Sequence, residues 1–453
     1  GDTPISLTSP DDRSMLLYSR KVKDKTTWSN LFNLGMERRG ATMKPKQRTR
    51  MSGKDFRIAV RNNTDVVYRT IGEQCRTCVG FGKVRPVRKD GTPSKALRIC
   101  KTCGGKGVIY RPTNEVAGFK MVPRNVRDVA AAGFKTDKDT LAEREMELSG
   151  SAREFASAYV RYNALRMYLG TFVEGMKNNV DDHGIIHPEF MQCVTATGRL
   201  SSRNPNFQNM PRGNTFAIRK VVESRFEDGF IMEGDYSQLE FRVAGFLAKD
   251  GQVYADVKAG TDVHSYTASV IGCTRQEAKA HTFKPLYGGT TGTEDQKRYY
   301  RAFKEKYEDI TMWHDELQRN AVKYKKVKLP SGREYMFPGC KWTEWGTATN
   351  RTAICNYPVQ GFATADLLPL ALVSLHKVMQ DSKLRSVICN TVHDSIVMDV
   401  HPDEKDICID LMKHAMLSLP FETMRRYGIT YDMPVGIEVK IGKNWLDLEE
   451  VDL

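Results

Sequence analysis

Residues 387–400, "VICNTVHDSIVMDV", decide the fold. Val387, Ile388 and Val392 lead in, Ile396, Val397, Met398 and Val400 lead out, and His393-Asp394 sits between. Two short apolar runs around a polar pair read as an antiparallel hairpin made for burial. A lone carboxylate at such a turn is usually a solvated turn residue, so Asp394 gains meaning only with a partner. Asp235 qualifies, because it ends a second apolar strand, "GFIMEGDYS" (229–237). Two carboxylates meeting at strand ends repel, and divalent cations between them relieve that cost. Hard oxygen ligands with few imidazoles suit Mg²⁺. Two such ions, roughly 3.5–4 Å apart, activate an attacking oxygen and steady a leaving one.

Chemistry on phosphates also needs cations. The segment "RQEAKAHTFKPLYG" carries Arg275, Lys279, Phe283 and Tyr287 at four-residue steps. On a helix these drift by about 40° per step and share one broad face. Two cations at one end and two aromatics at the other suit a triphosphate followed by a sugar and base. The plainer reading is an amphipathic helix with solvated basic residues.

The chain has 453 residues, and its net charge of +14 is unevenly placed. Residues 1–112 hold 25 Lys/Arg against 9 Asp/Glu, while the rest holds 44 against 46. Such a basic block seeks a polyanion, unless it is a solubilising arm. The run "MKPKQRTRMSGK" (43–54) reads as a loop. No run of 18 uninterrupted apolar residues exists, so no membrane span is expected. No signal peptide is visible, and the start at Gly1 rather than Met suits a piece trimmed from a longer protein.

Four of the ten cysteines fall as Cys75-Arg-Thr-Cys78 and Cys100-Lys-Thr-Cys103, each unit carrying glycines two and four residues after its second cysteine. A CxxC turn brings two thiolates to one metal, and the glycines let backbone N–H groups approach sulfur. Two such knuckles complete a tetrahedral four-thiolate site, expected to hold one structural Zn²⁺. The units resemble the cysteine repeats of J-domain chaperones in the knuckle alone. The intervening "KVRPVRKDGTPSKALR" has six Lys/Arg and one Asp; it suits nucleic-acid phosphates, or else a protein partner.

Elsewhere, "GFKTDKDTLAEREMEL" (133–148) reads as a cap at Asp137 or Asp139 followed by a helix. In 151–176, Phe155, Tyr159, Tyr162, Leu165, Leu169 and Phe172 recur at helical steps. "YKKVKLPSGREYMF" reads as a hairpin turning at Pro330-Ser331-Gly332, and "YPVQGFATADLLPLALVSLHKVMQ" (357–380) as a buried helix.

"TATGRLSSRNPNFQNMP", "DYSQLEFR", "RQEAKAHTFKPLYG", "NYPVQG" and "VHDS" occur in this order. They resemble the successive motifs of family-A DNA polymerases, the group of bacterial DNA polymerase I and many phage replicases. The resemblance spans roughly residues 133–453. It implies an α+β right-hand polymerase: a palm with an antiparallel sheet, mainly α fingers and thumb, and here a small zinc-knuckle insertion. Asp235, Asp394 and the Tyr236 carbonyl then correspond to the metal ligands of the palm. Glu240 corresponds to the steric gate against a ribose 2′-OH, with Gln238 beside it. Arg275 and Lys279 correspond to the triphosphate clamp, and His264, in "DVHSYTA", assists at the phosphates. Phe283 stacks at the incoming sugar and base, and Tyr287 sits near the templating base. Arg199, Asn206, Gln208, Asn356 and Gln360 feel the primer–template, and His393 supports the primer terminus.

Three departures stand out. Ser395 replaces the glutamate usual after the hairpin aspartate. Lys284-Pro285 follows the stacking aromatic where the family often has glycine, and Pro285 is expected to kink that helix. Phe rather than Tyr at 283 implies discrimination against dideoxynucleotides.

The expected organisation is a basic segment 1–65, the zinc module 66–112, a thumb 113–189, palm 190–245, fingers 246–345 and palm again 346–453. The implied function is addition of deoxynucleotides to a primer 3′-OH, with primer–template DNA, dNTPs, two Mg²⁺ and one Zn²⁺. No proofreading exonuclease is expected in this chain, which leaves a replisome or exonuclease partner as a candidate. No membrane partner is expected, and the implied setting is the cytoplasm of a phage-infected bacterial host. The alternatives are a reverse transcriptase or other template-directed polymerase, or a non-catalytic nucleic-acid-binding zinc protein.

Overall fold

The computed structural model describes residues 2–39, 42–87, 91–144, 147–213, 216–290 and 292–451. The chain forms two compact units, Gly1–Arg166 and Met167–Leu453, so the division falls inside the segment expected as thumb.

In the first unit the basic segment is folded. Helices Pro10–Tyr18, Lys25–Leu31 and Gly53–Asn63 start at Ser9, Asp24 and Ser52, whose side chains accept the N–H of Asp12, Thr27 and Asp55. Leu17, Trp28, Phe32 and Phe56 form one core with Val126, Val129, Phe134 and Leu141. The run 43–54 is therefore a loop only in its middle. It begins in strand Thr42–Pro45 and ends in helix Gly53–Asn63, where Phe56 and Val60, one turn apart, are buried.

Asp137 caps the helix Lys138–Arg144 by accepting the Thr140 N–H at 2.9 Å. The helix Gly150–Tyr168 runs on through a π turn to Lys177. Its expected stripe is only partly covered: Tyr159 and Phe172 are buried, whereas Tyr162, Leu165 and Leu169 are exposed.

The second unit is built on a five-stranded antiparallel sheet. Its spatial order is Val387–Val392, Ser395–Val400, Phe230–Tyr236, Ile437–Gly442 and Glu449–Glu450. The predicted hairpin occupies two neighbouring strands, and "GFIMEGDYS" is the central one. Met232, Ile396, Met398 and Val439 bury one face against the helix Lys405–Leu417. Gly234 permits that approach, because a Cβ there would meet the Met416 and Met412 sulfurs at 2.8 and 2.9 Å. The helix Arg351–Asp381 is the one described helix long and apolar enough to cross a membrane, and half of its most apolar window is buried inside the fold. The 326–336 hairpin turns as expected, with Gly332 N–H donating to Leu329 O at 3.0 Å.

Candidate active site and metal centre

The strand register brings the two aspartates together. Asp235 lies opposite Ser395 on one side and Glu438 on the other, and the Tyr236 N–H donates to Asp394 O at 3.3 Å. His393, at the hairpin turn, has φ +57°, so the chain reverses there and Asp394 leads directly into the inner strand Ser395–Val400, whose Ser395 lies opposite Asp235. Both carboxylates line one cavity of about 290 Å³ with Tyr236, Gln238, Glu240, His264, Arg275, Lys279 and Phe283. Burial pushes Asp235 up to about 7, with Asp394 adding to the shift. Burial likewise pushes Asp394 up to about 6, reinforced by Glu240. Two half-buried carboxylates that resist ionisation together form a donor set matched to a hard divalent cation.

The cations stand on the segment after Thr274. Thr274 and Glu277 make a reciprocal capping box, which fixes the start of helix Arg275–Thr282 and puts Arg275 in its first turn. Arg275 pairs with Asp262. Burial would raise Asp262, but hydrogen bonds from Arg275, Ser265 and the His264 N–H hold it down at about 2. His264 Nδ1 lies 3.0 Å from Thr282 Oγ1, and its ring meets Phe283 edge-on at 5.3 Å. Burial keeps His264 below the usual imidazole range.

The helix stops at Thr282 rather than kinking at Pro285. Lys284 N–H takes the His281 carbonyl that a proline one residue later cannot reach, and short turns follow. Tyr287 therefore leaves the helical row; it packs 6.4 Å from Phe283 and is not among the residues lining the cavity.

Glu240 is ion-paired with Arg199, whose Nε donates to Thr364 Oγ1 at 2.8 Å. Burial raises Glu240, and Arg199 opposes the shift. Arg199, Gln208 and His393 line a small adjoining cavity. Gln208 donates to Thr391 O at 3.0 Å, and Asn206 caps a short turn by accepting the Gln208 N–H at 3.1 Å. Burial, then Arg199, lowers His393. Asn356 and Gln360 lie on the helix Arg351–Gly361. The Asn356 Oδ1 is buried without a hydrogen-bond partner among the described residues.

Sequence reading missed three groups here. Arg212, one residue beyond the quoted motif, reaches Asp235 at 4.0 Å and Glu233 at 3.6 Å. Glu438 lines the cavity from the neighbouring strand. Glu233 shares a strand face with Asp235 and is the hub of a buried network. It accepts Ser395 Oγ and Trp445 Nε1, each at 2.9 Å, with Arg219 at 3.8 Å. The serine that stands in for the usual hairpin glutamate thus faces a carboxylate from the adjoining strand. An acid two residues before Asp235 in an otherwise apolar strand was the available signal.

In the first unit the four cysteine sulfurs lie within 4.8 Å of one another. Cys75 and Cys100 are 3.8 Å apart, Cys78 and Cys103 3.6 Å. This is far beyond a disulfide and close to the roughly 3.8 Å that tetrahedral zinc–thiolate bonds of ~2.3 Å require. Gly82 and Gly107 each donate N–H to a cysteine sulfur at 3.2 Å. At both, a Cβ would strike a carbonyl oxygen of the other knuckle at 2.2 Å, and φ is positive, so glycine is required.

A sequence profile of DNA polymerase family A matches residues 119–447. The chain belongs to DNA polymerase family A. It is 30% identical over 355 residues to DNA polymerase I of Lactococcus lactis subsp. cremoris, covering 73% of this chain and 38% of that protein. It is 28% identical over 358 residues to the DNA polymerase of Bacillus phage SP01, covering 70% of this chain and again 38% of that protein. The chain thus spans under two-fifths of the length of these relatives. Among solved structures, this family-A chain resembles the POL domain of Pol1 from M. smegmatis in complex with DNA primer-template and dNTP. The TM-score is 0.59 at 25% identity, over 70% of this chain and 57% of that one. The family match begins after the four-cysteine module, which it leaves outside.

Proposed function

We propose that the chain performs template-directed DNA synthesis, adding deoxynucleotides to a primer 3′-OH with release of pyrophosphate. One observation carries this reading: Asp235 and Asp394 share a cavity with Arg275 and Lys279. Asp235, Asp394 and the Tyr236 carbonyl are assigned to two Mg²⁺, which when bound activate the hydroxyl and neutralise the departing charge. Arg275 and Lys279 hold the β- and γ-phosphates, Arg275 exchanging Asp262 for phosphate oxygen. His264, kept below the usual imidazole range by burial, orients a phosphate by hydrogen bonding. Phe283 stacks on the incoming nucleotide, while Glu240, held by Arg199, crowds a ribose 2′-OH with Gln238 beside it. Tyr287 is assigned to the template side, and Arg199, Asn206, Gln208, Asn356, Gln360 and His393 to the primer–template. Cys75, Cys78, Cys100 and Cys103 are assigned to one structural Zn²⁺.

The palm is assigned to 190–245 and 346–453, which contain the central sheet, the fingers to 246–345 and the thumb to 113–189. The relatives are bacterial and phage polymerases, which supports action on intracellular DNA.

Primer extension with Mg²⁺, on DNA and RNA templates with each nucleotide type, tests the reading. Asp394→Asn should lower extension by at least about 10³-fold, the scale of losing several kcal/mol of charge stabilisation, while primer–template binding measured by anisotropy persists. Retained extension would refute the metal role.

A further inference from the structure

We propose that the four-thiolate module binds single-stranded nucleic acid, with a base stacked on Phe81 and the surrounding cations on the backbone. The module carries a strongly basic surface. Residues 66–112 hold 11 Lys/Arg against two acids, Glu73 and Asp90. Glu73 is taken up by Arg111, and Asp90 lies outside the described residues.

The two knuckles repeat one backbone pattern. Cys75 N–H donates to Gly107 O and Cys100 N–H to Gly82 O, at 2.8 and 2.9 Å. Equivalent positions therefore carry Arg76 and Lys101 inside the CxxC turns, and Phe81 and Lys106 just beyond them. All four are exposed. Phe81 is 83% exposed, the most of any large apolar side chain described.

From the first knuckle a two-stranded ribbon rises, in which Lys83 faces Ile99 and Val84 faces Arg98. Arg85 and Leu97 directly flank the two strands, next to Val84 and Arg98. Leu97 and Ile99 are 55% and 66% exposed, and neither Lys83 nor Arg85 has an ion-pair partner among the described residues.

Apolar and cationic groups are thus interleaved. The core of a protein interface is depleted in charge, so this surface suits a protein poorly. A strand with exposed bases and a phosphate backbone calls for this mixture, since every base has a π-face and every nucleotide a charge. Duplex DNA, its bases stacked away, would leave Phe81 unused.

The test uses the full chain and fluorescein-labelled (dT)20, read by anisotropy from 50 to 200 mM salt, with zinc content measured on every variant. Phe81→Ala should weaken binding about 5–10-fold and leave blunt-duplex binding unchanged. Lys83→Glu with Arg85→Glu should weaken binding and flatten the salt dependence. A 5-iodouracil oligonucleotide should cross-link within residues 79–87. Because Phe81 is exposed, its variant keeps the fold and one zinc. Wild-type (dT)20 affinity in both variants, or cross-links confined to 167–453, would overturn the proposal and leave the patch to an acidic protein partner. Equal losses on single strand and duplex would overturn the stacking role. Primer extension by Phe81→Ala, run in parallel, separates this outcome from failure of the polymerase reading.

Discussion

The cysteine cluster and the aspartate pair are held together in opposite ways. The four cysteines lie within 29 positions of one another and, among the described residues, are backed only by Val84 and Ile109. Asp235 and Asp394 are 159 positions apart and stand on a sheet packed over the largest core of the protein. In the first region little apolar area is buried, so under the proposed assignment a bound Zn²⁺ would supply much of the folding free energy. In the second, a large apolar core holds the sheet, which brings two carboxylates together at a cost that bound Mg²⁺ would relieve.

That contrast breaks most visibly on metal removal. Chelating zinc, or changing Cys75 and Cys100 to Ser, should unfold residues 66–112, since structural zinc contributes on the order of 10 kcal/mol in small domains. Hydrogen exchange followed by mass spectrometry should show the module's amides losing protection while strand Phe230–Tyr236 keeps its own. Removing Mg²⁺ alone should leave both protected. A native protein without bound zinc would show the module to be misread.

The next largest effect separates two neighbouring carboxylates on one strand. Glu233 satisfies Trp445, Ser395 and Arg219. Glu233→Ala leaves them without their acceptor, and should destabilise the second unit by about 3 kcal/mol in urea unfolding. Asp235→Asn removes a repelling charge from a half-buried pair, and should keep or raise stability while abolishing extension. If Asp235→Asn destabilises as much as Glu233→Ala, the strain assigned to the aspartates is absent.

Which of this could be read from sequence follows the range of the forces involved. The hairpin around Asp394 was legible, since alternation and a polar break are local signals, as was the cysteine centre from its spacing. Asp235 was legible because it ends an apolar strand. The Glu233 network was not, because its partners at 395 and 445 meet it only once strand register is known. The end of the helix Arg275–Thr282 was half legible: Pro285 warned of a break, but not that Lys284 would take the free carbonyl and turn Tyr287 away. The core of the first unit was hidden because Leu17, Trp28, Phe32 and Phe56 are spaced among basic residues and are gathered by long-range packing with Phe134 and Leu141.

Glu240 sharpens the comparison within the site, being an acid matched by a cation where Asp235 and Asp394 repel one another. Glu240→Ala should relax sugar selection, raising ribonucleotide incorporation by roughly 10- to 100-fold, the scale of a lost steric and polar contact. It should leave Mg²⁺ dependence in place. Unchanged ribonucleotide exclusion would count against the gate.

The smallest effect tests the strain directly through pH. Burial raises both aspartates above the ordinary carboxylate value. For a carboxyl group raised in the fold, the stabilising contribution is complete below the unfolded value near 4. It is lost as pH climbs through the folded values of about 6 and 7. The metal-free second unit should therefore weaken between pH 4 and 7, and Mg²⁺ should restore stability only above that window. A thermal shift of a few degrees with Mg²⁺ at pH 8, and none at pH 5, is the expected pattern. In Asp394→Asn the shift at pH 8 should vanish, since one neutral side chain removes both the repulsion and a ligand. A Mg²⁺ shift of equal size at both pH values would mean that the cations bind elsewhere, and that the two aspartates ionise without cost.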